Sequence, residues 1–165
     1  MSRRDDARDA GGASGRREAP ASLSPVPWST VFRQATPVAL SYVPVGLLFG
    51  TLAHHGGLTA VQTAAFSLFV YSGAAQLLAV QMLAAGATHV AIALAASILT
   101  IRHVLMGASL SLFTGRLPAG RRALLSPLLT DESFALAWRM YRTQPEAHGF
   151  FAGTNLYLYL TWNIA

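Results

Sequence analysis

The chain is expected to be an all-α membrane protein, a multispanning helical bundle with broken or re-entrant helices. Three observations carry that expectation. Of its 165 residues, 53% are hydrophobic and only 12% are charged, with a mean hydropathy of +0.41, whereas soluble domains carry roughly 25% charged residues. Between Arg33 and Arg116 the only Asp, Glu, Lys or Arg is Arg102. Small or proline-bearing breaks interrupt the apolar runs on either side, so unbroken spans alone do not describe the pattern.

The chain has no lysine and no cysteine, so disulfides and Schiff-base lysines are excluded. Its formal net charge of +5 rests on arginine. The arginines flank apolar runs rather than lining one polar face, which argues against a nucleic-acid partner. They read instead as topology determinants and headgroup contacts in a lipid bilayer.

Residues 1–26 mix Arg, Asp, Gly, Pro and Ala without an apolar period and read as a disordered cytoplasmic tail. Neither Arg3–Arg4 nor Arg16–Arg17 is followed promptly by an apolar run, which argues against an export signal. Residues 27–165 form the transmembrane domain, approached through Trp28 and Arg33 at headgroup level. Thr36–Ala53 is the first span. Pro37 and Pro44 interrupt its hydrogen bonding, and Gly46 and Gly50 form a small-residue pair suited to close helix packing. Leu58–Ala85 is longer than the roughly 20 residues a crossing needs. Its small, polar centre, Tyr71–Gln76, leaves two readings open: one tilted span, or two half-helices meeting at Ser72–Gln76.

His89–Phe113 is a further span carrying Arg102 and His103. Ala123–Trp138 is short, apolar and interrupted by Pro127 and by Thr130-Asp131-Glu132-Ser133. Arg139 and Arg142 read as part of a polar loop, and Phe150–Ala165 as a final apolar segment. The arginine-rich stretches 1–33, 116–122 and 139–142 belong on the cytoplasmic side. That places the N-terminus in the cytoplasm and turns Leu58–Ala85 and Ala123–Trp138 into hairpins from opposite faces. Inverted-repeat transporters build midplane sites in this way.

Arg102 keeps its charge at every accessible pH, and stranding it at mid-depth costs at least about 2.5–3.5 kcal/mol. Asp131 and Glu132 are the first acidic residues after it and its natural partners. Arg102 is therefore expected to pair with one of them, to hold a substrate carboxylate, or to switch between the two. His103 is about 100° further around the helix, where it either relays protons or sits neutral and satisfied. A break over Ser72–Gln76, with Gly73 in it, would free N–H donors at a helix start suited to a substrate carboxylate, to which Gln76 adds a side-chain amide and Ser72 a hydroxyl. Its rival is a small-residue packing seam. Thr130 or Asp131 is a candidate helix cap. His54 and His55 lack a second ligand pair, so no metal site is expected. No cofactor and no catalytic residue enter this reading.

Pro37–Gly46, Tyr71–Gln76, Ile101–Leu110 and Leu129–Phe134 resemble, in order and spacing, segments of the AzlC family of branched-chain amino acid permeases. The arginine–histidine and threonine–aspartate–glutamate signatures are the specific ones. The resemblance covers about residues 30–165 and implies the large subunit of a two-part exporter working with a small AzlD-type membrane protein. It implies export of branched-chain amino acids across a bacterial inner (plasma) membrane, here expected to be driven by a proton gradient. The family often has serine where this chain has Ala74, and it continues for several spans beyond Trp162, so the permease domain is expected to be incomplete at its C-terminus. Two rivals remain. One is an intramembrane hydrolase using Ser109 or Ser72 with His103, weakened by the lack of a nucleophile-turn motif. The other is an assembly subunit without a substrate path.

Overall fold

The long apolar run after Trp28 forms one helix rather than a broken span. A computed structural model describes residues 26–165, so the tail expected over 1–26 lies outside the described residues apart from Val26. Helix α1 runs Trp28–His55, with Pro37 and Pro44 inside it. Each proline removes one N–H donor, yet the helix continues because packing holds it. Ala35, Ala39 and Tyr42 are buried against Leu158 and Trp162 around those positions. After α1 the chain reverses through Gly57, whose φ of 84° favours glycine. Gly46 and Gly50 do not act as a packed pair: Gly46 meets Ala165, and Gly50 has open space beside it.

Leu58–Ala85 divides into two half-length helices, α2 (Ala60–Phe69) and α3 (Gly73–Ala84). Thr59 starts α2 with a reciprocal cap to Gln62, while Val70–Ser72 is non-helical. The half-helix reading is the one observed. The third apolar run forms α4 (His89–Thr100) and α5 (Arg102–Thr114). They meet at Ile101, whose N–H bonds to the Ile98 carbonyl at 3.3 Å, a tightened turn of the kind found at hinges.

Next come α6 (Ala119–Leu125), a 3₁₀ turn over Ser126–Leu128, α7 (Asp131–Thr143) and α8 (His148–Ile164). The interruption in this region therefore falls at Ser126–Thr130, before Asp131 rather than after it. Arg139 and Arg142 belong to α7, not to a loop. Ser133, Ala137 and Tyr141 recur at four-residue spacing on its buried face, which leaves those arginines on the outer face. Thr130 caps α7 and Ser133 returns the bond to the Thr130 N–H at 2.9 Å. Thr130→Val keeps the shape and removes the cap oxygen. It is expected to cost about 1 kcal/mol, read as a lowered unfolding midpoint in detergent.

Among the described residues there is no strand. Helix α1 packs on α8 and α3, α3 on α4, and α7 on α8. Two helical stretches, Trp28–His55 and His89–Thr114, are long and apolar enough to cross a membrane. The distribution of polarity is that of a chain solvated by lipid. Helix α4 buries no residue, and Leu94, Ile98, Ile101, Val104, Leu105 and Leu112 are all exposed. The buried set meanwhile includes Gln76, Ser133, His148, Thr154 and Asn155. In water such an apolar exterior would be an aggregation surface.

The arginine-rich end is tied by a polar cluster outside those apolar stretches. Arg116 meets Glu146 at 3.3 Å, and the Tyr141 hydroxyl lies 3.0 Å from His148 Nδ1. Burial pushes the His148 imidazole down, against the opposing pull of Glu146. The 3.7 Å approach of His148 Nε2 to Glu146 is thus a contact of a neutral ring near neutral pH.

Candidate functional site

The break between α2 and α3 lies beside the starts of α5 and α7. Together they line a cavity of about 270 Å³. Its walls hold Ser72 and Gly73 at the break, Arg102 and His103 from α5, and Asp131 and Glu132 from α7. Residues far apart in the chain thus meet in one place, and six of the seven expected site residues line it.

Arg102 and Asp131 form an ion pair, Nη2 to Oδ2 at 2.8 Å, with side chains 42% and 46% exposed. The pair is therefore open to the cavity rather than sealed in the core. Arg102 Nε is buried without a partner, so the guanidinium keeps one donor unspent. With Arg102 matched to Asp131, Glu132 is the surplus negative charge lining the cavity. The Tyr42 hydroxyl donates to Glu132 Oε2 at 3.4 Å, a long bond that leaves the carboxylate able to accept others.

His103 lines the same cavity as Arg102, although it stands about 100° further around the helix. Both stand in the first turn of α5, just past the turn at Ile101, where the cavity is broad enough to reach adjacent residues. Ser72 precedes α3 in extended conformation and makes no side-chain cap. The first-turn N–H groups of α3 therefore have no capping oxygen.

Gln76 is placed differently from its neighbours. It is fully buried, and its amide Nε2 donates to the Val70 carbonyl across the break. It closes the backbone of the interrupted segment instead of lining the cavity. That bond gives a backbone carbonyl of the break a partner within the protein, as buried backbone requires.

Tyr42, Tyr71 and Trp162 also line the cavity, and sequence reasoning missed their place there. Trp162 stands edge-on to Tyr42 with ring centres 5.1 Å apart, and Tyr71 stands edge-on to Tyr159 at 5.0 Å. The only available signal was the position of Tyr42 and Tyr71 inside the two segments that resemble the family. Val45 and Leu77 add an apolar wall. Among the described residues no hydrogen bond joins Ser72 or Ser109 to His103, and Ser109 Oγ instead donates to the Leu105 carbonyl at 2.9 Å. No group of three or more metal-ligating side chains occurs among the described residues.

Comparison with known proteins points the same way. The family described as AzlC protein matches residues 37–165, which include every site residue named above. An Escherichia coli (strain K12) relative, inner membrane protein YgaZ, is 38% identical over 118 residues, covering 68% of this chain and 48% of the relative. The chain thus spans about half the length of that curated relative. No solved structure matches it. With the family match spanning most of the chain, and an apolar exterior surrounding a charged cavity, the chain belongs to the AzlC family of transport-related membrane proteins.

Proposed function

We propose that this chain is the permease part of a two-subunit exporter that moves branched-chain amino acids out of the cell. The observation that carries the reading is the cavity, which offers a complementary group for each part of an amino acid zwitterion. The uncapped start of α3 at Gly73 suits a carboxylate through its N–H groups and positive dipole end. The Arg102 guanidinium, which lines the cavity, adds a charged donor. Glu132, left over after the Arg102–Asp131 pair, receives the ammonium. Val45, Leu77 and Trp162 receive a short aliphatic side chain.

Coupling to protons falls to the same carboxylates, Asp131 and Glu132, with His103 beside them. Export driven by inward protons requires proton and amino acid to displace one another, and competition of a proton with the substrate ammonium for Glu132 would supply that exchange. Gln76 supports the break rather than the ligand. The N-terminus and the arginine-rich segments lie in the cytoplasm, the bilayer is the bacterial inner membrane, and a small AzlD-type subunit is the partner.

Inner-membrane vesicles containing the protein and an AzlD-type subunit test this. Saturable valine or leucine movement that a protonophore abolishes is the expected result. Absence of flux at normal abundance, with the subunit bound, would favour the assembly-subunit reading. Hydrolysis blocked by a serine-directed probe would favour the enzyme.

A further inference from the structure

Trp162 lies where two cavities meet. One is the cavity of about 270 Å³ that holds Arg102, Asp131 and Glu132. The other, of about 370 Å³, is lined by Phe49, Gly50, His54, Thr63 and Ser67 and extends to the turn between α1 and α2. The indole is a wall of both, although it is only 6% exposed.

Two contacts fix the ring. One face of the contact is the edge-on Tyr42, at an interplanar angle of 87°. The other is the helix break itself, because a Cβ on Gly73 would fall 2.8 Å from the indole Cη2. A side chain at residue 73 would therefore push the ring aside, and glycine is what admits it. Trp162 Nε1 is buried without a hydrogen-bond partner. An unpaired buried donor costs free energy, and in a native structure it calls for a reason, such as a ligand that pairs with it.

We propose that Trp162 is the partition between the two cavities, seated on Gly73, and that it contacts the substrate as it passes. This rests on the permease reading above. The indole body is a flat apolar plate that blocks water and ions, and its N–H, buried without a partner, bonds a passing carboxylate once the ring turns. Passage requires the ring to leave Gly73.

The chain has no cysteine, so Ser67→Cys and Ala74→Cys each report one cavity when an impermeant thiol reagent is added to either membrane face. With Trp162 in place, each cysteine should react from one face, and the two faces should be opposite. Trp162→Ala should raise labelling from the wrong face about tenfold at both positions, whereas Trp162→Phe should preserve sidedness. Gly73→Ala should also raise it by displacing the ring, which keeps the test decisive if Trp162→Ala fails to fold. Labelling needs no transport, so intact sidedness without amino acid flux would count against the permease reading and leave the partition standing. Labelling of both positions from one face with Trp162 present overturns the partition. So does sidedness unchanged in both Trp162→Ala and Gly73→Ala.

Discussion

Replacing Arg102 with alanine is expected to reduce amino acid flux to background while leaving the protein near its normal abundance. The two halves of that expectation have different physical sources. Removing one partner of a sealed ion pair costs about 3–5 kcal/mol. Here, however, the two side chains are 42% and 46% exposed to the cavity, so water takes over the stranded Asp131 and the stability loss falls toward about 1 kcal/mol. Flux has no such substitute, because Arg102 is the only arginine or lysine between Arg33 and Arg116. Arg102→Lys should restore part of the flux, since an ammonium keeps the charge and loses the fixed fork of donors. Vesicle transport normalised to protein amount reads both variants. Undiminished flux in Arg102→Ala would remove the arginine from the site.

Leu158→Ala should do the opposite, lowering stability and sparing the chemistry. Leu158 is fully buried on α8 against Ala35, Ala39, Tyr42 and Trp162, on the seam that seats α8 against α1. Leucine truncation in water-soluble cores costs about 2–5 kcal/mol, part of it lost hydrophobic transfer. In a bilayer the separated helices remain in an apolar medium, so the packing part dominates. The expected cost is therefore about 2 kcal/mol, near the low end of that range. It should appear as an earlier unfolding midpoint in detergent, with flux per folded molecule close to normal. An unchanged midpoint would show that α8 does not stabilise α1.

Much of the site was legible because hydrocarbon makes polar residues conspicuous. A lone Arg102 called for an anion, and Asp131 supplies it. The small, polar run at Tyr71–Gln76 lacks the bulk to continue a packed span, and the chain breaks there at Val70–Ser72. The Thr130-Asp131-Glu132-Ser133 run carried a cap signal, and Thr130 is the cap. What stayed hidden depends on contacts distant in sequence. Pro37 and Pro44 looked like breaks, but packing of α8 on α1 carries the helix through them. Arg139 and Arg142 looked like loop residues because their charge masked the buried spacing of Ser133, Ala137 and Tyr141. Tyr42 and Trp162 stand edge to edge across the fold, and nothing local to either residue announces the other. Gln76 was legible as polar but not as the residue that closes the break, since that depends on where its side chain turns.

The direct test of the cavity as an amino acid site is the reactivity of a single cysteine at Ala74. Ala74 is exposed and lines the cavity, whereas its neighbour Ala75 is buried and would report packing instead. Ala74→Cys should react with a small polar thiol reagent, and valine or leucine should slow that reaction in a saturable manner. Protection should disappear in Arg102→Ala, which removes a carboxylate donor without touching the break. Reaction at the same rate with and without amino acid, in protein that still transports, would contradict a binding site at the start of α3.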